Sequence, residues 1–176
     1  MKFDFSLVPF AAENSLATKL IGNIERQENL LTIYYQLEKI SQIKLSEVVE
    51  KPIRQFDLWE HTCFEFFLGL KGSSQYWEFN LSPAGHWNIF RFPDYRRDIA
   101  EEMKFNSLPF QVSQHDNCLR LKLKVNLSPI ISPQQNLEIG ITAVVEDREN
   151  QLSYWALTHP VNQADFHHRD SFLINL

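Results

Sequence analysis

The segment YWEFNLSPAGHWNIFRF, residues 76–92, contains two short apolar runs separated by the turn sequence PAG. Polar side chains recur at every second position of these runs, at Glu78, Asn80, His86 and Asn88. Because side chains at i and i+2 of a strand share a face, the pattern predicts two strands joined by a tight turn, each with one polar face. Carboxylates and amides set among aromatic residues are unlike ordinary strand surface, and this indicates a binding face.

Strand signals dominate the rest of the chain, as short runs of branched and aromatic residues between turn residues. In CLRLKLKV (118–125) the leucines face inward and the basic residues outward. Asp94, Ile99 and Met103 predict a short helix within 93–105. We predict an antiparallel, jelly-roll-like β-sandwich with one or two short helices. The other predicted strands are LLTIYYQL (30–37), TCFEFFLG (62–69), NLEIGITAVVED (136–147), QLSYWAL (151–157) and SFLINL (171–176).

Length and composition indicate a single globular domain, residues 1–176, with 44% apolar and 13% aromatic residues. The net charge of -5, without a basic block, argues against a nucleic-acid partner. No apolar run approaches the ~20 residues of a membrane helix, and residues 1–15 lack a signal-peptide pattern, so we expect a cytoplasmic protein with no membrane partner. Cys63 and Cys118 lack CxxC spacing, and we expect no disulfide there.

The strands 62–69, 76–82 and 86–92 are expected to form a meander with about 4.8 Å between neighbours. Their shared polar face would then hold Glu65, Glu78, Asn80 and Asn88. Like charges on adjacent strands repel, so one carboxyl is expected to have a raised pKa or a cationic partner. Two interpretations remain: a half-solvated sheet with Glu–Arg pairs, or a cleft that binds a polar ligand.

In the cleft interpretation, Trp59 and Trp87 are candidate stacking platforms for a sugar. An enzymatic alternative uses Glu65 and Glu78 as a catalytic pair, because retaining glycosidases hold two carboxyl groups about 5–5.5 Å apart. An open sheet face rarely dehydrates a substrate or separates two pKa values, so we favour a non-catalytic binding module.

The segment THPVNQADFHHRD (158–170) concentrates three histidines near Asp165. Its spacing matches no standard zinc motif, and we predict no metal site. Adjacent His167 and His168 point in opposite directions in an extended chain, so at most one joins a given site. Either these side chains fix the loop by hydrogen bonds, or the loop folds over the cleft and a histidine contacts the ligand, or a metal together with Asp165.

Three segments resemble bacterial DOMON-like proteins, which are related to family 9 carbohydrate-binding modules. They are LWEHTCFEFFLG (58–69), YWEFNLSPAGHWNIFRFPDYR (76–96) and YWALTHPVNQADFHHRDSFLINL (154–176). The resemblance implies a jelly-roll-like sandwich whose ligand face holds sugars in some members and haem in others. The implied motif residues are Trp59, Glu60, Thr62, Cys63, Glu65, Glu78, Asn80, Ser82, Pro83, Trp87, Asn88, Tyr95, Arg96, Tyr154, Trp155, His159, Pro160, Asp165, Phe166, His167 and His168.

The resemblance implies a Met–His pair for haem, and the chain has only Met1 and Met103, so we expect no cofactor. The favoured function is a module that binds a carbohydrate or a similar polar small molecule. An enzyme acting on a sugar-like substrate and a protein-interaction domain, including a homodimer, remain as alternatives. The predicted ligand-binding residues are Trp59, Glu65, Glu78, Asn80, Trp87, Asn88, Arg96, Trp155, His159 and His167.

Overall fold

A computed structural model describes residues 1–11 and 18–176 as two antiparallel β-sheets packed face to face. The smaller sheet is built from β1 (Lys2–Ser6), β3 (Lys19–Gln27), β4 (Leu30–Glu38), β9 (Phe110–His115) and β10 (Cys118–Asn126), in the order β1-β3-β4-β10-β9. The cytoplasmic location was expected from residues 1–15, and part of this stretch lies outside the described residues.

The larger sheet contains β2 (Val8–Pro9), β5 (Cys63–Leu70), β6 (Tyr76–Leu81), β7 (Trp87–Phe92), β8 (Ala100–Glu101), β11 (Leu137–Glu146), β12 (Leu152–Ala156) and β13 (Ile174–Asn175). These strands follow the order β2-β12-β11-β5-β6-β7-β8, with β13 paired to β11. Short 3₁₀ turns occur at Ile40–Gln42, Leu58–Glu60 and Arg169–Ser171. The predicted antiparallel β-sandwich is confirmed.

The short helix predicted within 93–105 is wrong. Asp94 caps only the next residue, by accepting a hydrogen bond from the backbone N–H of Tyr95. Arg96 and Asp98 then take φ values of 51° and 47°, and this left-handed conformation cannot continue a right-handed helix. The segment instead forms an irregular loop that leads into β8.

The main core lies between the two sheets. From the larger sheet it receives Phe64, Phe66 and Phe79, and the smaller sheet contributes Ile33 and Leu121, all without solvent exposure. Because side chains alternate along a strand, the intervening residues of the larger sheet point away from the smaller sheet. We call this second surface of the larger sheet the outer face.

The outer face is covered by the loop 93–99 and by the C-terminal segment 164–172. Two glycines of the larger sheet make room for this cover. A Cβ on Gly140 would lie 2.8 Å from Cδ1 of Phe172, and a Cβ on Gly69 would lie 2.4 Å from Cζ of Arg169. Phe172 packs with Phe67 and other aromatic residues in a separate outer-face cluster.

Candidate functional site

A pocket of about 640 Å³ opens on the outer face between the sheet and its covering loops. Its floor comes from β5, β6 and β11, and its walls come from β12, the 3₁₀ turn Leu58–Glu60, the loop 93–99 and the C-terminal segment. This volume is in the usual range for small-molecule sites. The lining residues are Trp59, Glu60, Glu65, Phe67, Glu78, Phe92, Arg96, Ile99, Val144, Leu152, Tyr154, Ala164, Phe166 and His167.

Strand register brings the predicted polar residues to one face. Glu65 is paired with Asn80, and Asn80 is paired with Asn88 on the next strand. Glu78 is paired with Phe67, so it lies diagonally from Glu65, two residues along β6. The shared face expected from the two-residue rhythm is therefore present.

Glu65 is a buried carboxyl group with an incomplete set of partners. The residue is 2% exposed, and its Oε2 accepts a hydrogen bond of 3.2 Å from the Thr142 hydroxyl. Its Oε1 has no hydrogen-bond partner among the described residues. Burial, and next the negative charge of Glu78, raise the pKa of Glu65 well above its usual range, so this carboxyl holds its proton more strongly than an exposed glutamate does.

Glu78 is also buried, at 6% exposure, and its Oε1 accepts a 2.9 Å hydrogen bond from the Asn80 side-chain amide. Burial raises the pKa of Glu78 to about 7, although the hydrogen bond from Asn80 and the charge of Arg96 oppose the shift. Asn80 does not line the pocket, and it contributes to the site by its hydrogen bond to Glu78. The two glutamates therefore offer two carboxyl groups with raised pKa values to the same space.

His167 closes the pocket above Glu78. Its Nδ1 lies 2.9 Å from the Tyr76 hydroxyl, and its Nε2 lies 3.8 Å from Oε2 of Glu78. Burial, followed by the nearby charge of Arg96, lowers the pKa of His167 to about 4, so the ring is neutral at pH 7. A separation of 3.8 Å is too long for a direct hydrogen bond and leaves the Glu78 oxygen free for a ligand or a water molecule.

Asp165 anchors the C-terminal loop to the loop 93–99. It accepts hydrogen bonds from the Tyr95 hydroxyl at 2.5 Å, from Nη2 of Arg96 at 2.8 Å and from the backbone N–H of His167 at 3.1 Å. Burial opposes its ionisation, but the Tyr95 and Arg96 hydrogen bonds prevail and lower the pKa of Asp165. Both sequence interpretations of this loop therefore have support: Asp165 fixes it, and His167 lines the pocket.

Asn88 shares the outer face but lies outside the pocket. Its side-chain oxygen accepts a 2.7 Å hydrogen bond from Nη1 of Arg54, and its amide donates to Glu101 at 2.7 Å and to the backbone oxygen of Gln55 at 3.2 Å. The chain around Arg54 and Gln55 covers it. The hydrogen-bonding groups of the Asn88 side chain are therefore satisfied within the protein, and Asn88 is not available to a ligand in the pocket.

Three other predicted residues lie away from the pocket. Trp87 and Trp155 are 4% and 3% exposed and belong to the main core, since each alternates with a residue of the outer face. Trp87 is further covered by the Arg54 guanidinium, 4.3 Å from the ring centroid. His159 lies beside β2, with Nε2 3.0 Å from the backbone oxygen of Val8. A stacking role for Trp87 does not fit this structure.

Several lining residues were missed in the set of predicted ligand-binding residues. Tyr154 and Phe166 supply aromatic walls, and Val144, Leu152 and Ile99 supply aliphatic ones. Strand alternation could have placed Val144 and Tyr154 on the outer face, because they alternate with the core residues Ala143 and Trp155. Ile99 and Phe166 arrive on loops, where strand alternation gives no information.

Haem does not fit this pocket through a Met–His pair. Met103 is 68% exposed and Met1 is exposed, and neither lines the pocket. Residues 1–11 and 18–176 also contain no group of three or more His, Cys, Asp and Glu side chains arranged to hold a metal ion. In the same residues no helix has the length and apolar character to cross a membrane.

No protein-family model matches the sequence, and no curated protein matches it. The fold is similar to the crystal structure of a proposed carbohydrate-binding protein from Bacteroides uniformis ATCC 8492. The TM-score is 0.76 at 13% identity, over 97% of this chain and 84% of that chain. It is also similar to a family 9 carbohydrate-binding module from Caldicellulosiruptor kristjanssonii in complex with glucose, with a TM-score of 0.55 at 10% identity, over 92% and 76% of the two chains. At these identities the similarity establishes the β-sandwich fold.

Proposed function

We propose that the protein binds a carbohydrate in the outer-face pocket. The observation that carries the proposal is the unpartnered, buried Oε1 of Glu65 at the floor of a pocket with aromatic walls. Sugar hydroxyls donate to and accept from carboxyl groups, while the apolar faces of a sugar ring pack against aromatic rings. Trp59, Phe92 and Tyr154 line the walls, and Glu65 and Glu78 line the floor. The two similar structures, described as carbohydrate-binding, support the same ligand class.

Calorimetric titration with a panel of mono- and disaccharides tests this function. We expect binding by the folded protein, weakened about tenfold or more in Trp59→Ala and Tyr154→Ala. Tyr34→Ala is a matched control, because Tyr34 lies on β4 of the smaller sheet. Absence of binding across the whole panel by a folded protein would contradict the proposal.

A second candidate is catalysis on a sugar-like substrate, favoured by two carboxyl groups that share one pocket. The backbone positions of diagonal neighbours on adjacent strands are about 7–8 Å apart, and from that spacing two glutamate side chains can reach the carboxyl separation of either retaining or inverting glycosidases. Both carboxyl groups have raised pKa values, and one would serve as the acid and the other as the base. Release of sugar from glycosides that stops in Glu65→Gln and in Glu78→Gln would establish it, and bound but unaltered glycosides would reject it.

A further inference from the structure

In the described part of the chain, neither floor carboxyl group forms a salt bridge with a lysine or an arginine, and this feature bears on the chemistry of the ligand. Glu65 forms no ion pair, and the basic side chain within 4 Å of Glu78 is His167, which is neutral at pH 7. The charge of Arg96 acts on Glu78 from a greater distance. Arg96 also lines the pocket, but its Nη2 is held 2.8 Å from the Asp165 carboxylate. A buried acidic pair of this kind usually has a positive charge beside it.

The remaining ionisable groups around the pocket do not supply this charge. Glu60 lines the rim and adds a third carboxylate. Tyr76 and Tyr95 have raised pKa values and are neutral at pH 7, and the Cys63 thiol behind the floor has a pKa raised by burial and then by Glu65, so it is neutral as well. The lining is thus acidic, with its single guanidinium already paired.

The walls are also suited to a cation. The pocket is lined by Trp59, Phe67, Phe92, Tyr154 and Phe166. Aromatic ring faces carry negative electrostatic potential and attract ammonium groups that approach them. Carboxyl groups at the floor and rings at the sides together favour a ligand with a protonated amine and an apolar ring face.

We propose that the pocket selects a sugar with a free, protonated amino group over neutral and acidic sugars. This inference rests on the proposed carbohydrate function and names the substrate class of the same site. The ammonium would lie between Glu65 and Glu78 and donate to their carboxyl oxygens. A uronic acid would instead place its carboxylate against Glu78, which is partly ionised at pH 7, and would be repelled by that charge.

Titration of the full chain with glucosamine, glucose, N-acetylglucosamine and glucuronate at pH 7 tests the selection. We expect glucosamine to bind about tenfold or more tightly than glucose and N-acetylglucosamine, and glucuronate to bind weakest. Binding of glucosamine should also release protons, because an ammonium lowers the pKa of both carboxyl groups; titrations in buffers of different ionisation enthalpy measure this release. The preference should weaken as salt is added.

Glu65→Gln and Glu78→Gln keep the shape of the floor and remove the groups that ionise when an ammonium binds, so the preference for glucosamine should fall to near unity. Glu149→Gln, in the exposed turn after β11, is the matched control and should keep it. Equal affinity for glucosamine and glucose, or a preference that survives in the double variant, would overturn the amine inference and leave carbohydrate binding in place. Failure of every sugar to bind the folded protein would overturn both.

Discussion

The Tyr76 hydroxyl and Nδ1 of His167 lie 2.9 Å apart, and this contact attaches the C-terminal loop to a floor strand of the pocket. The same hydroxyl accepts a 3.2 Å hydrogen bond from the backbone N–H of Arg96, which belongs to the other covering loop. One side chain of β6 therefore holds both loops over the outer face.

Replacing Tyr76 with Phe should loosen this cover. Two groups lose a partner, so we expect a loss of about 1–3 kcal/mol in the free energy of unfolding, measured by denaturant titration. Sugar affinity should fall as well, because His167 and Arg96 line the pocket. Tyr34→Phe is the control, since it removes a hydroxyl bonded to Gln36 on the smaller sheet and should leave sugar affinity unchanged. Unchanged stability and affinity in Tyr76→Phe would show that the contact does not support the cover.

Substitutions of Trp59 and of Trp87 should affect sugar binding and fold stability to different degrees. Trp59 lines the pocket and is partly buried, so Trp59→Ala should weaken sugar binding more than it destabilises the fold. Trp87 lies in the main core, where Trp87→Ala should cost about 3–5 kcal/mol of unfolding free energy. Trp87→Phe, a milder change, should keep normal sugar affinity in a folded protein. A specific loss of affinity in Trp87→Phe would restore this residue to the site.

Stability should fall as pH rises from about 6.5 to 8. The folded state raises the pKa values of Glu65 and Glu78, so across this window it holds protons that the unfolded chain has already lost. The stability that these protons provide is present below the unfolded carboxyl pKa and is lost as pH rises through the folded values. We expect a decrease of roughly 1–3 kcal/mol, measured by denaturant titration at fixed ionic strength.

The other groups with shifted pKa values change the stability outside the range from pH 6.5 to 8. His167 has a lowered pKa of about 4, so its effect operates between about pH 4 and its unfolded value near 6.5, where stability rises with pH. Asp165 and Glu146 have lowered pKa values and act at still lower pH. Glu78→Gln should flatten the decrease above pH 6.5. A profile that is level in the wild-type protein from pH 6.5 to 8 would contradict the assigned protonation of the floor.

Side-chain alternation along the strands predicted much of the fold and part of the site. It placed Glu65 and Glu78 on one face, and both reach the pocket. It also put Trp87 on the opposite face from Asn88, so assigning Trp87 to the ligand conflicted with the pattern itself. The strands β1, β2, β3, β8 and β9 were not predicted; in β3, Gly22 and several polar residues interrupt the apolar run.

The loops could not be derived in this way. Arg96 and His167 are separated by 71 positions in the numbering and meet because Asp165 bonds to both the Arg96 side chain and the His167 backbone. Such a contact depends on how two irregular segments fold over a finished sheet, which local periodicity does not encode. The contact of Arg54 with Asn88 likewise depends on how an irregular segment folds over the sheet. The expected cytoplasmic location and the alternative of a homodimer stay predictions.

Mapping of backbone amide chemical shifts by NMR during a sugar titration tests most directly whether a carbohydrate occupies the outer face. We expect millimolar glucose or glucosamine to shift amides of β5, β6 and the C-terminal loop, centred on Glu65, Glu78 and His167, while β4 and β10 of the smaller sheet stay unchanged. Shifts confined to the smaller sheet, or an unchanged spectrum with every sugar, would contradict carbohydrate binding in this pocket.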